Sequence, residues 1–130
     1  MRVLPSETPP LRLWHLAPET PIGVPLSVID DTTGKPLTGT DLTSLTGKLA
    51  VTTAGAAPSG VDDSAYVDFG WVKWADDFGE VQDVAAVLIG PGDSADTSWP
   101  ADAGSVVVWW QVSDGEKTMA GQAPGSIDLY

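Results

Sequence analysis

Cysteine is absent from this 130-residue chain, and histidine occurs once. Without cysteine there is no disulfide framework and no thiolate metal site. A zinc centre built on several His or Cys ligands is excluded with them. The absence of cysteine also fits folding in a reducing cytoplasm. Any Ser-His-Asp triad would have to use His15 as its proton relay. His15 falls in a strand-like stretch, and no serine near it stands in a nucleophile-elbow context. It therefore reads as a structural or interface histidine, and the chain reads as non-enzymatic. Basic residues are also scarce: six Lys and Arg stand against 18 Asp and Glu, a net charge of −12. Nucleic acid and anionic membrane surfaces are both disfavoured as partners. The acidity itself reads as a solubility device, with a basic partner surface or a bound cation as the sharper alternatives. At the start of the sequence, Met1-Arg2-Val3-Leu4 runs directly into Pro5, Ser6 and Glu7. No apolar core of a signal peptide develops there.

What the chain does have is one strongly β-prone stretch. Gly104 to Gly115 contains three consecutive valines and two tryptophans, and is too short to cross a bilayer. β-Branched side chains crowd a helical turn, so the run favours a strand. Alternation places Val106, Val108, Trp110 and Val112 on one face, the expected core face, and Val107, Trp109, Gln111 and Ser113 on the other. Apolar residues on both faces imply a central strand or one covered by a partner. Asp114-Gly115 supplies the turn.

Glycine (14) and proline (11) are abundant, which implies many turns and little helix. Residues 1–10 read as an extended arm, because Pro9-Pro10 blocks a helix. The arm is expected to be either disordered or laid over a neighbouring surface, and dispensable for the fold. Leu11 to Leu16 alternates as a strand. Ile22 to Ile29 follows with Ile22, Val24, Leu26 and Val28 in phase, and Pro25 pushes this strand towards an edge or a bulge. Asp30 to Gly34 is a turn suited to Asx bonding. Leu37 to Leu45 is irregular, Lys48 to Thr53 is a strand, and Ala54 to Gly60 is an exposed loop. Phe69 to Ala75 reads as one strand. Val81 to Ile89 fits helix or strand, with length and flanking glycines favouring strand. Gly90 to Ala103 is a long loop, and Ile127 to Leu129 is a closing strand that must be paired to stay ordered. About seven short antiparallel strands, with turns roughly every 8–12 residues, predict an all-β, immunoglobulin-like sandwich over residues 11–130 as one domain.

The acidic pairs Asp62-Asp63, Asp76-Asp77 with Glu80, and Asp93 with Asp96 lack EF-hand spacing and read as solvated turn acids rather than calcium ligands. Gly90-Pro91-Gly92-Asp93 lacks the Walker lysine and reads as a turn. No cofactor is implied. The six tryptophans carry more information. Trp71 and Trp110 are expected in the core. Trp14, Trp99 and Trp109 fit either a protein interface or the rim of the core. With Leu11, they form the candidate interface set.

Val87-Leu88-Ile89-Gly90-Pro91-Gly92, an acidic loop, Gly104-x-Val106-x-Val108-Trp109-x-Gln111-Val112-x-Asp114-Gly115 and the closing Gly125-Ser126-Ile127 together resemble small immunoglobulin-like virion proteins of tailed bacteriophages, those of actinobacteria in particular. The likeness spans roughly the last third of the chain. Val106 stands where that family has a tyrosine. The early Pro21-Ile22-Gly23-Val24-Pro25-Leu26 strand resembles the same kind of domain. The resemblance implies a capsid decoration or minor capsid protein, or a tail or baseplate component. It implies capsid or tail subunits as partners, many copies in a symmetric assembly, a place in the virion after synthesis in the host cytoplasm, and no catalytic residues. The alternative is a carbohydrate-binding module for host attachment, based on the aromatics and acidic loops.

Overall fold

Period-two alternation decides the long strands. A computed structural model describes residues 2–5, 11–13, 20–37, 40–53, 55–60, 62–75, 79, 81–90, 97–98, 104–123 and 126–129. Along them run β1 (Arg2–Pro5), β2 (Leu11–Leu13), β3 (Thr20–Ile29), a one-turn helix α1 (Thr40–Thr43), β4 (Thr46–Thr53), β5 (Tyr66–Asp68) and β6 (Gly70–Ala75). They are followed by β7 (Val81–Gly90), β8 (Thr97–Ser98), β9 (Ser105–Ser113), β10 (Thr118–Gln122) and β11 (Ile127–Leu129). The chain is all-β, with mainly antiparallel pairing. One sheet has the order β1-β3-β7-β6, with β8 beside β7; the other has the order β2-β11-β9-β4-β5, with β10 beside β9. The expected seven strands are thus eleven among the described residues. Two pairings, β2 with β11 and β7 with β8, are parallel.

The inner faces of the two sheets share one core. Ile22, Val24, Leu26 and Val28 of β3 are all buried, as are Val106, Val108, Trp110 and Val112 of β9. These two rows belong to one cluster with Leu49 and Val51 of β4, Ala85 and Val87 of β7, and Ile127 of β11. Both alternations are those expected from the sequence. β9 is central: β4 pairs along one side, while β10 and β11 share the other. The ambiguous 81–89 stretch is strand β7. Asp30 to Gly34 turns as anticipated. The Asp30 carboxylate accepts the Thr32 N–H at 2.7 Å, and Gly34 has a φ of +69°.

Two expectations are corrected. Residues 2–5 are extended, but their partner is the chain's own β3, and Val3 is buried against Val28 in register. This part of the arm therefore belongs to the core rather than to a neighbour's surface. Residues 6–10 lie outside the described residues. Second, Pro25 does not make β3 an edge. β3 sits inside its sheet, with β7 pairing Thr20 to Pro25 and β1 pairing Leu26 to Ile29. Among the described residues each half is paired on one side, and a residue without an N–H is tolerated where the partner changes. The expected strand from about Phe69 to Ala75 is β6, which begins one residue later at Gly70. The chain leaves the second sheet at Asp68 and joins the first at Gly70. Phe69 is the joint. Its N–H donates to the Gly47 carbonyl at 3.2 Å, and its ring meets Trp71 edge-on at 4.9 Å. A Cβ built on Gly47 would sit 2.1 Å from the Phe69 ring, so only glycine leaves room for that side chain.

Two stability tests follow from this packing. Removal of residues 1–5 exposes the pocket filled by Val3 and is expected to lower unfolding free energy by about 1.5–3 kcal/mol in urea denaturation. An unchanged midpoint would mean that β1 adds nothing to the core. Gly47→Ala forces Phe69 off its seat and is expected to destabilise by about 1–3 kcal/mol, read as a lowered midpoint of thermal unfolding.

Candidate functional site

The outer face of the second sheet carries the one candidate interface residue whose side chain is described. Trp109 lies on β9 opposite Ala50 of β4 and Gln122 of β10. It is half-buried, flanked along the strand by buried Val107 and buried Gln111. The face is not bare. The β4–β5 loop lies over part of it, and that loop is held by named bonds. The Trp109 indole N–H donates to Thr52 Oγ1 at 3.0 Å, and the Thr52 hydroxyl donates to the Ala56 carbonyl at 3.1 Å. The ring is thereby pinned to β4, and β4 to the start of the loop.

Asp63 closes the other end of the loop. Its carboxylate accepts the Ser59 N–H at 2.7 Å, the Ser59 hydroxyl at 3.1 Å and the Ala65 N–H at 2.8 Å. The bond from Ala65, then those from Ser59, hold this carboxyl below the usual aspartate value. Next to it, burial first and the charge of Asp63 second push the Tyr66 phenol up. Asp63 is thus a latch within its own loop. Among the described residues no three metal-ligating side chains converge.

Between this loop and β10 lies an open hollow of about 200 Å³, lined by Pro58, Gly60, Tyr66, Trp109, Ala120 and Gly121. None of these side chains is charged or an amide. The position of β10 follows from the β9 turn. Asp114 Oδ1 accepts the N–H groups of Glu116 and Lys117, and Gly115 has a φ of +97°. These bonds, that from Lys117 foremost, hold the Asp114 carboxyl below its usual value. β10 pairs with β9 alone, so its other side is an open edge among the described residues. A rigid aromatic beside an apolar hollow and an open strand edge can receive an apolar side chain of an extended partner segment.

The remaining candidates are not brought to this place by any described contact. Leu11 is in β2, paired with Ile127. Trp14 and Trp99 lie outside the described residues, as do His15, Asp76, Asp77, Glu80, Asp93 and Asp96. Trp110 is in the core, as expected. Trp71 is only half-buried and packs against the core from its margin. The indole N–H groups of both are buried without an acceptor. Tyr66 and Pro58 were missed as site residues. Tyr66 sits in a three-residue strand, and nothing in the local sequence indicates that the loop folds back over Trp109.

A second hollow, of about 250 Å³, lies at the end of the molecule, where Asp30, Asp31 and Asp114 stand over Ile29, Leu37 and Leu45. Asp30 and Asp114 already accept turn N–H groups.

The Asp63 latch has a defined pH dependence. Its folded-state pKa is depressed, so its contribution is complete above the ordinary carboxylate value of 3.8 and is lost as pH falls through the lower folded value. The Ser59 and Ala65 amide resonances should therefore hold steady from neutral pH into mild acid and shift only below that ordinary value. In Asp63→Ala the same amides should exchange faster with solvent at neutral pH. Unchanged protection in that variant would show that the loop is held by something else.

Comparison with protein-family models, with curated proteins and with solved structures yields no match.

Proposed function

We propose that the chain is an immunoglobulin-like sandwich acting as a non-enzymatic structural subunit of a tailed-phage virion. In this reading it binds neighbouring capsid or tail subunits through the Trp109 face. Strand order supports the fold assignment. β1-β3-β7-β6 corresponds to the A-B-E-D order of immunoglobulin domains, and β11-β9-β4-β5 to G-F-C-C′. β10, ending at Gln122, and β11, beginning at Ile127, both pair with β9 and together occupy the place of one G strand. Such a fold hosts many activities, so the functional reading rests on the site.

The observation that carries it is Trp109. The ring is held by its bond to Thr52, keeps part of its surface in solvent, and borders an apolar hollow. Immobilised tryptophans in desolvated pockets dominate protein–protein binding energies. A sugar stacked on the same ring would find a single side-chain hydroxyl, that of Tyr66, among Pro58, Gly60, Ala120 and Gly121, and neither a carboxylate nor an amide. The lining therefore favours a protein partner over a glycan.

The test is incorporation into particles. Trp109→Ala should fold, as judged by circular dichroism, and should be depleted from purified virions by ~tenfold or more, as expected for the loss of a hot-spot residue. Incorporation at the unmodified copy number would overturn the role of this face. Specific glycan-array binding that is lost in Trp109→Ala would replace the proposal with the carbohydrate reading.

A further inference from the structure

β10 ends its sheet differently from the other described edges. Edge strands escape unwanted pairing by being very short or by carrying a charge or a proline. β1 contains Arg2 and Pro5, β2 contains Arg12, β5 contains Asp68 and β6 contains Lys73, while β8 has two residues. β10 reads Thr-Met-Ala-Gly-Gln and has none of these devices. Thr118, Met119, Ala120 and Gln122 are all exposed, and Met119 is one of two large apolar side chains so open among the described residues. β2 lies along the same side of the sheet, but its described pairing is with β11.

The ladder shows which backbone groups of β10 face outward. At one end the Asp114 N–H donates to the Lys117 carbonyl at 3.2 Å, and at the other the Ala123 N–H donates to the Val108 carbonyl at 2.8 Å. Bonded and non-bonded pairs alternate along an antiparallel ladder, so Lys117, Met119, Gly121 and Ala123 turn their backbone groups to β9. Thr118, Ala120 and Gln122 turn theirs to the open edge. The same three residues stand opposite Ser113, Gln111 and Trp109, so their side chains share the Trp109 side of the sheet. Ala120 is the β10 side chain that lines the hollow beside that ring, and it is a single methyl group. A side chain from a further strand could reach across it to Trp109.

We propose that an extended, net-basic segment of another protein adds to β10 as a further strand and sets an apolar side chain into the hollow at Trp109. The inference rests on the Trp109 reading and names the backbone and charge of the partner at that site. The outward N–H and C=O groups of Thr118, Ala120 and Gln122 supply sequence-independent bonds, and the hollow selects among side chains. In either strand direction, alternate side chains of the added segment fall on the Trp109 side. Charge fixes the rest of the partner's chemistry. The two segments that flank the site, the β4–β5 loop and the β9–β10 turn, carry Asp62, Asp63, Asp114 and Glu116 against Lys117. The whole chain has a net charge of −12, which draws a cationic segment and repels a second copy of the chain.

Selection of random nine-residue peptides on the immobilised full chain tests it. Enriched peptides are expected to alternate apolar residues, to carry an excess of Lys and Arg, and to bind less tightly as salt rises. One of them, made synthetically, should slow amide exchange at Thr118, Ala120 and Gln122 ~tenfold or more, whereas Met119 and Gly121 exchange slowly in the free chain already. Ala120→Pro takes no bond from the β9 ladder, so the fold should hold, and the dissociation constant should rise ~tenfold or more. Gln122→Pro is a second variant of the same kind. The proposal is overturned if no peptide is enriched, if salt strengthens binding, or if binding survives both prolines. Binding that is lost in Trp109→Ala but kept in both prolines would remove strand addition and leave the Trp109 reading standing. Binding lost in the prolines but kept in Trp109→Ala would remove the Trp109 reading and leave strand addition. Protection of the three amides that grows with the concentration of the peptide-free chain would make a second copy the occupant and overturn the proposal.

Discussion

Two rows of alternating apolar side chains face each other across the molecule, and the rest of the fold depends on their contact. Ile22, Val24, Leu26 and Val28 form one row, and Val106, Val108, Trp110 and Val112 the other. Neither strand can bury its row alone, since a pleated strand has only a line of side chains on each face. Pressing one sheet on the other removes both rows from water together. The remaining strands extend these two. β4 and β11 flank β9, while β1 and β7 flank β3. Val3 shows how far the constraint reaches: a strand of four residues near the start of the chain is ordered through pairing with β3 and one buried side chain.

β9 is also buried on its second face. Val107 and Gln111 are buried and Trp109 half-buried, and the β4–β5 loop lies beside Trp109. A loop can cover a sheet face only if its own polar groups are satisfied. Here Asp63 accepts three of its donors and Thr52 bridges Trp109 to Ala56. The same bonds give Trp109 one orientation. A binding surface gains affinity from such pre-organisation, because little side-chain freedom remains to be lost on contact. The loop thus connects folding to the proposed recognition.

The two outer faces divide the molecule's surface chemistry. The second sheet presents an aromatic hollow with an open strand edge beside it. On the first, register groups exposed Gly70 and Val72 with Val84, which is buried.

Much of the fold was legible in the sequence wherever a pattern is local. The alternations of β3 and β9, the Asp30–Gly34 turn and the glycine at position 115 all follow from side-chain period and backbone sterics, which neighbouring residues settle between themselves. Residue order alone could not show that the chain changes sheets at Phe69. That depends on Gly47, more than twenty positions earlier, having no Cβ where the ring must sit. Nor could it show that β1 completes its own sheet, that Pro25 stands where one partner strand gives way to another, or that Tyr66 and Pro58 gather around Trp109. Those are pairings between distant segments. They are decided by which surfaces meet when the two sheets close on their shared core, a property of the folded whole rather than of any stretch of the chain.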